Sequence, residues 1–439
     1  YALEAYNEAL ADFNQAIDLE PENAHTYNTR GIIHRALRRY DDALRDYEQA
    51  TQLDPHYVDA YVGQTLVYNA RAQYGSALEV ISKVIALRPD DATVYNSRGV
   101  ILRNLGRYED ALTDYEQALQ LDSQNADILL GTGLAHRALK NYGDALQYLD
   151  RAIQLEPQND THYFWRGRVY QDLEDYASAV DDLSIAIQLN PHDTYNYQSR
   201  GVNYAYLKDY DAAIQDYTQS LHLDPNNAGH FYLRGQTHFE VGQYKDALKD
   251  YSHAIRLRPD YKNYYEVRGF TQHRMGQFEA AVADFEKCVQ LEPDNTLCYY
   301  WRGLMRMSVG QYSEALADMH QSEMLDPDDP ISRAYCAFWR SVLHDLGAEA
   351  AISAEQLRAA QAAAEQIPDE SQRWRVQAVI ALFPGEGTRA QEAYEHVLEI
   401  DRRATRLFSP RLYLLQLSLL YPESEAFASV RDWFEQQVD

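Results

Sequence analysis

The chain has 439 residues, and its 40 lysines and arginines against 67 aspartates and glutamates give a formal net charge of -27 at pH 7. That excess of acid opposes the counterion release that drives nucleic-acid binding, and it repels anionic membrane surfaces. Because no segment approaches the roughly 18 consecutive apolar residues of a membrane-spanning helix, we expect neither a nucleic-acid partner nor membrane insertion.

The cysteines Cys288, Cys298 and Cys336 show neither the spacing of a metal site nor that of a disulfide framework. An odd number of thiols in a long chain favours a reducing compartment. The sequence begins at Tyr1 without a basic or apolar leader segment, so we expect a cytoplasmic protein.

Proline, glycine, alanine and an aromatic residue recur in register with a period of 34 residues, except that Ser123 replaces one proline and Thr65 one glycine. The prolines are Pro21, Pro55, Pro89, Pro157, Pro191, Pro225, Pro259, Pro293 and Pro327. The alanines are Ala43, Ala77, Ala111, Ala145, Ala179, Ala213, Ala247, Ala281 and Ala315. Small residues at fixed helical positions permit close packing, and proline ends one helix and allows another to begin. The pattern predicts an array of repeated units.

From the amino terminus, residues 1–23 hold one helical segment, and nine full units follow over residues 24–329. In a unit such as residues 24–57, apolar and small residues have helical spacing on both sides of a break near Tyr40. Each unit is therefore predicted to be two short helices. A helical hairpin of this size cannot bury its own apolar face, so the units are expected to stack into a solenoid.

One unit carries the ordered residues Tyr95, Gly99, Tyr108, Ala111, Tyr115 and Ala118. With the period of 34, this pattern resembles the tetratricopeptide repeat. The resemblance implies an all-α fold, a right-handed α-solenoid superhelix of antiparallel helix pairs, with 1–23 as a half repeat and nine full repeats over 24–329. It also implies a non-catalytic scaffold that binds a peptide or protein segment in a concave groove lined by the first helices.

One column departs from the family pattern, because arginine stands where a hydrophobic residue usually precedes the glycine. The arginines are Arg30, Arg98, Arg166, Arg200, Arg234, Arg268 and Arg302. A column of the second helices holds Asp46, Asp114, Asp182, Asp216, Asp250, Asp284 and Asp318. The units with Gln64 and Thr132 in the first column also lack the aspartate, with Val80 and Tyr148 instead. We infer structural ion pairs within each unit, in preference to a ladder that grips phosphates or carboxylates.

From residue 160 onward, aromatic residues occupy positions that line the groove in the family. The predicted partner-binding residues are Phe164, Trp165, Arg168, Tyr195, Tyr206, Tyr232, Phe239, Phe270, Tyr300 and Trp301. Aromatic residues with scattered arginine are typical of interface hot spots. The corresponding positions of the earlier units, such as Ile32 and Leu66, are mixed in character. The alternative is that a tightly wound superhelix packs these rings against one another.

Two recognition modes of the family find little support. A clamp for a terminal carboxylate needs lysine and asparagine on consecutive first helices, and the candidate positions hold no lysine. A ladder of asparagines along the groove would need one in nearly every unit, whereas only Asn28 and Asn96 share a column.

Residues 330–439 lose the strict period but keep a helical texture. Trp374, Ala378, Ala390 and Tyr394 still stand where a repeat would place them. We expect a degenerate repeat-like helical cap, because one face of a terminal unit meets water. The alternative is a docking surface around the basic residues Arg402, Arg403, Arg406 and Arg411.

Motifs of catalysis and cofactor binding are missing from the sequence: it has no phosphate-binding loop, no HExxH and no CxxC pair. We expect no enzyme activity, no cofactor and no metal. The favoured partner is a protein or peptide with apolar anchors and basic charge. The alternative function is a regulatory or sensor arm of a larger signalling protein with an effector domain before Tyr1, because the sequence begins inside a helical hairpin.

Overall fold

The computed structural model describes residues 2–327, which hold nineteen α-helices and no strand. The helices are α1 (Ala2–Leu19), α2 (Ala24–Ala36), α3 (Tyr40–Leu53), α4 (Val58–Ala70), α5 (Tyr74–Leu87), α6 (Ala92–Asn104), α7 (Tyr108–Leu121), α8 (Ala126–Ala138), α9 (Tyr142–Leu155), α10 (Asp160–Asp172), α11 (Tyr176–Leu189), α12 (Thr194–Tyr206), α13 (Tyr210–Leu223), α14 (Ala228–Glu240), α15 (Tyr244–Leu257), α16 (Lys262–Arg274), α17 (Phe278–Leu291), α18 (Thr296–Ser308) and α19 (Tyr312–Leu325). The predicted cap over 330–439, with its basic cluster, lies outside the described residues.

The helices belong to two compact units, Tyr1–Leu223 and Asp224–Asp439. In the first unit, α2 to α13 form helix pairs. The first helices of neighbouring pairs also touch: α2 contacts α4, α6 contacts α8, and α10 contacts both α8 and α12. In the second unit α14 to α19 form helix pairs, and α14 touches α16. The prediction of an all-α solenoid of helix pairs is confirmed. We call the surface made by the first helices within each unit the first-helix face.

Local hydrogen bonds fix where the first helix α2 begins and ends. The Asn23 side-chain oxygen accepts hydrogen bonds from the backbone N–H groups of His25 and Thr26 at 3.0 and 3.3 Å, which caps α2. After α2, Arg38 adopts a left-handed φ of 57°, and the Arg39 N–H donates to the His34 carbonyl at 2.8 Å. This closing turn satisfies a free helix carbonyl and reverses the chain into α3.

In five of the described helix pairs the core depends on an aromatic ring that lies against glycine. Tyr47 of α3 is fully buried, and a Cβ added to Gly31 of α2 would lie 2.8 Å from its ring. On the other side, a Cβ added to Gly63 of α4 would lie 2.5 Å from the same ring. The ring therefore fills a space that exists only because both neighbouring helices lack a side chain there.

Two cysteines correct the sequence analysis. Cys288 of α17 and Cys298 of α18 are both fully buried and form a disulfide, with their Cα atoms 5.9 Å apart. The pairing crosses the turn between two consecutive helices, a geometry that leaves no signature in the spacing of cysteines. The expectation of a reducing compartment rested on unpaired thiols and loses that support.

Candidate functional site

The arginine column lies in the core of the helix pairs and is already occupied by carboxylates. Arg200 donates from Nε and Nη2 to the two oxygens of Asp216 at 2.8 and 2.7 Å, and its Nη1 donates to the Ser184 hydroxyl at 3.0 Å. These bonds raise the pKa of the Arg200 guanidinium, which keeps it charged. Burial raises the pKa of the Asp216 carboxyl, and Arg200 opposes that effect.

The other six arginines form the same two-point contact with the aspartate sixteen residues later. The pairs are Arg30 with Asp46, Arg98 with Asp114, Arg166 with Asp182, Arg234 with Asp250, Arg268 with Asp284, and Arg302 with Asp318. The aspartate side chains are only 4–6% exposed. Each guanidinium therefore binds an aspartate on the second helix of its own pair. Its Nε and Nη2 atoms, which could otherwise bind a carboxylate of a partner, are already occupied.

In the first unit, α10 brings together three of the predicted groove residues. Phe164 and Trp165 are half-buried, and their rings meet edge to face with centroids 5.2 Å apart. Trp165 packs against the buried Leu149 and Val169, so part of its ring belongs to the core. Arg168 is also half-buried on the same helix.

Tyr195 and Tyr206 lie near opposite ends of α12 and are 62% and 59% exposed. They are eleven positions apart along the helix, which at a rise of 1.5 Å per residue is roughly 16 Å. The Tyr206 ring stacks on Tyr176, with centroids 4.6 Å apart. The structure therefore does not bring these two tyrosines together into one aromatic patch.

In the second unit, Tyr232 and Phe270 are half-buried and touch core rings. The Tyr232 ring lies 5.5 Å from that of Tyr264, and Phe270 lies 5.3 Å from Phe285, between centroids. Phe239 packs on Tyr244 with centroids 5.4 Å apart. Neighbouring rings therefore cover part of each of these side chains.

Tyr300 and Trp301 correct the expectation of exposed groove rings, because each is only 6% exposed. The Trp301 ring lies 4.7 Å from Phe270 and 6.0 Å from His273, between centroids. Burial lowers the pKa of His273 to about 4, so its ring is neutral near pH 7 and packs as an aromatic residue. Here the alternative holds, in which rings of neighbouring helices pack against one another.

Two apolar side chains on the first-helix face, at positions described above as mixed in character, are among the most exposed of this face. Ile32 of α2 and Leu66 of α4 are 43% and 44% exposed, more than the half-buried rings of α10. They occupy the same position in consecutive helix pairs of the first unit, and their helices α2 and α4 touch. The signal in the sequence is an aliphatic residue at the same position of consecutive repeats, which a prediction based on aromatic residues does not use.

A charged cleft of about 360 Å³ opens at the carboxyl-terminal ends of α6, α8 and α10. Its walls include Arg103, Tyr108, Leu134, Arg137, Trp165 and Asp172. Arg137 donates to Asp172 at 2.6 and 3.3 Å and lies over the Trp165 ring at 5.5 Å. The sequence held a signal for this cleft, since Arg35, Arg103 and Arg137 stand 68 and 34 residues apart in one column.

Glu266 of α16 is a half-buried carboxylate on the first-helix face of the second unit. Burial raises the pKa of its carboxyl, and the charge of Glu292 adds to that effect while Lys262 opposes it. Lys262 is itself paired with Glu292 at 2.7 Å. No ion pair of Glu266 is found in the described part of the chain.

Neither a membrane span nor a metal cluster is found where the structure is described. Every helix within residues 2–327 is too short or too polar to cross a bilayer. The same residues hold no group of three or more histidine, cysteine, aspartate or glutamate side chains that could bind a metal ion.

Models of the tetratricopeptide repeat match residues 24–57, 63–126, 96–160, 163–193, 197–227 and 263–295, and a TPR repeat model matches 235–276. Together these matches cover more than half of the chain. The chain belongs to the tetratricopeptide-repeat family. The helix pairs within the matched ranges are therefore tetratricopeptide repeats, and the first-helix face there is made by the first helix of each repeat.

Several solved structures are similar to part of this chain. YrrB, described as a TPR protein with an unusual peptide-binding site, is 27% identical and matches 44% of this chain and 98% of its own, with a TM-score of 0.37. MamA is 23% identical over 37% of this chain and 94% of its own, with a TM-score of 0.35. A repeat protein from Parabacteroides merdae is 18% identical over 56% of this chain and 98% of its own, with a TM-score of 0.44. No curated protein matches the sequence.

Proposed function

We propose that the protein is a non-catalytic scaffold whose first-helix face binds an extended segment of a partner protein. The observation that carries the proposal is that a tetratricopeptide-repeat chain exposes large apolar side chains on this face. Ile32 and Leu66 are more than two-fifths exposed, as is Tyr195. When a partner covers apolar groups that neighbouring repeats leave exposed, their removal from water stabilises the complex.

The partner segment carries apolar anchors and basic residues. The chain has a net charge of -27, which accelerates and orients the approach of a positively charged segment. Glu266 adds a local reason, because its half-buried carboxylate forms no ion pair within the described residues, where the nearby Lys262 is paired with Glu292. A lysine or arginine of the partner would supply the missing charge.

The apolar part of the proposal is tested by replacing Ile32 and Leu66 together with serine. Peptides selected from a random library on the intact chain are expected to bind this variant at least about tenfold more weakly, because their apolar anchors lose the side chains that they cover. The dissociation constant is measured by fluorescence anisotropy on labelled peptides.

The matched control is Leu121→Ser with Leu155→Ser, two leucines of similar exposure, 39% and 37%, at the ends of second helices. Both variants should melt within a degree or two of the parent protein. If the selected peptides bind all three proteins equally, the first-helix face does not hold the partner and the proposal is wrong.

The charge part is tested by Glu266→Gln. Basic peptides are expected to bind about tenfold more weakly to this variant, because the carboxylate that pairs with their cation is gone. The variant should also be more stable than the parent at pH 7. Burial raises the pKa of Glu266 above its unfolded value, so its charged form costs stability once the pH rises through that pKa.

The stability gain of Glu266→Gln should shrink as the pH falls and the parent carboxyl becomes protonated. Urea unfolding at pH 7 and at pH 4 measures this difference. An equal effect at both pH values would show that the charge of Glu266 is well solvated, and it would remove this residue from the proposal.

A further inference from the structure

The cleft between α6, α8 and α10 holds more guanidinium groups than carboxylates. Arg103 and Arg137 line it, and Arg168 lies beside it, one helical turn before Asp172 on α10. Asp172 is the carboxylate that lines the cleft, and Arg137 already binds it. This local excess of positive charge stands out in a chain whose net charge is -27.

Arg168 is a half-buried cation without a counter-ion in the described residues. Its Nε is buried and finds no acceptor. Burial lowers the pKa of its guanidinium, and the charge of Arg137 lowers it further, while Asp172 opposes both.

Arg103 is in a similar position on the other side of the cleft. Its buried Nε also lacks an acceptor, and no described residue pairs with its charge. Its neighbour is the hydroxyl of the fully buried Tyr115, which is a neutral group.

These two arginines differ from the seven of the repeated column, each of which binds an aspartate of its own repeat. An arginine stays charged at any physiological pH, so a half-buried guanidinium without an anion lowers stability unless something else pairs with it. A fold that places two such groups beside the Arg137–Asp172 pair is suited to receive an additional anion.

We propose that this cleft binds a carboxylate of the partner segment through Arg103 and Arg168, next to the Arg137–Asp172 pair. The guanidinium fork matches the two oxygens of a carboxylate. Leu134, Tyr108 and Trp165 supply an apolar wall beside the charges, so the residues that flank the acid are apolar. The proposal rests on the proposed scaffold function and adds a position where an otherwise basic segment carries one acidic group.

The experiment titrates the whole chain with three short peptides: N-acetyl-Leu-Glu-Leu-amide, its glutamine counterpart, and the glutamine peptide with a free terminal carboxylate. Binding is followed by NMR on the indole N–H of Trp165, which lines the cleft and is assigned with Trp165→Phe. The glutamate peptide is expected to bind at least about tenfold more tightly than the blocked glutamine peptide. Tighter binding of the free-acid peptide instead would identify the terminal carboxylate as the source of the anion.

Arg168→Gln is expected to abolish the preference for a carboxylate, and Arg103→Gln to reduce it. Arg45→Gln is the matched control, because Arg45 is an exposed arginine of α3 that pairs with Asp42. It should keep the full preference. Arg168→Gln should fold normally, since it removes a charge that has no partner.

Equal binding of the glutamate peptide and the blocked glutamine peptide to the parent chain would overturn the proposal. So would an unchanged preference in both Arg168→Gln and Arg103→Gln. In either case, library peptides that still depend on Ile32 and Leu66 would show that the scaffold function stands and that only the carboxylate site is wrong.

Discussion

Replacing Asp216 with alanine is expected to lower the free energy of unfolding by about 3 kcal/mol, because the Arg200 guanidinium then loses its carboxylate inside the repeat. Asp216 is 5% exposed and Arg200 is 19% exposed, so water cannot fully replace the lost partner. The Ser184 hydroxyl remains as an acceptor for one nitrogen only. Urea unfolding followed by circular dichroism measures the change.

The chain itself provides the control for this prediction. Gln64 and Val80 stand in one repeat where Arg200 and Asp216 stand in theirs, and both are buried. The double variant Arg200→Gln with Asp216→Val should therefore lose much less stability than Asp216→Ala. If the double variant loses as much unfolding free energy as the single variants Arg200→Gln and Asp216→Val combined, the arginine and the aspartate are not coupled.

The complementary variant, Arg200→Met, leaves the buried carboxyl alone. Burial raises the pKa of Asp216, and without Arg200 nothing opposes that shift. A carboxyl whose folded pKa lies above its unfolded pKa costs stability when the pH rises through the folded value. The deficit of Arg200→Met relative to the parent should therefore be largest near pH 7 and smaller near pH 4.

Gly63→Ala is expected to destabilise the protein by about 1–3 kcal/mol, although alanine favours a helix over glycine by about 1 kcal/mol. The new Cβ would lie 2.5 Å from the Tyr47 ring. That ring is fully buried, and Gly31 holds it from the other side, so it has no free space to move into.

Gly75→Ala is the matched control, because Gly75 lies in α5 with nothing within 4 Å of an added Cβ. This variant should gain up to about 1 kcal/mol from helix propensity alone. Thermal melts of the two variants separate the effects. A gain at both positions would mean that the Tyr47 ring is not confined as the structure shows.

The positions of the helices could be predicted from the sequence because their causes are local. Apolar residues at helical spacing, a break near Tyr40 and a proline every 34 residues define each helix pair within a single repeat. The shared loss of arginine and aspartate at Gln64 and Val80 even indicated the partner of each arginine. Those signals lie within one repeat, so the sequence of that repeat suffices to show them.

The candidate site depended on contacts between repeats, which differ from one repeat to the next. Phe164 and Trp301 both appeared as groove rings, yet Trp301 is buried against Phe270 of another helix while Phe164 stays half-exposed. The exposed Ile32, the unpaired Arg168 and the disulfide of Cys288 likewise depend on which side chains a neighbouring helix presents.

The sequence by itself determined the family, the all-α architecture and the length of the repeat, because helix periodicity and close packing at small residues repeat without change. Only the tertiary structure decided which side chains remain exposed and which charges remain unpaired. The physical reason is that burial and charge pairing are properties of neighbouring surfaces, and in this protein those surfaces are built from side chains that do not repeat.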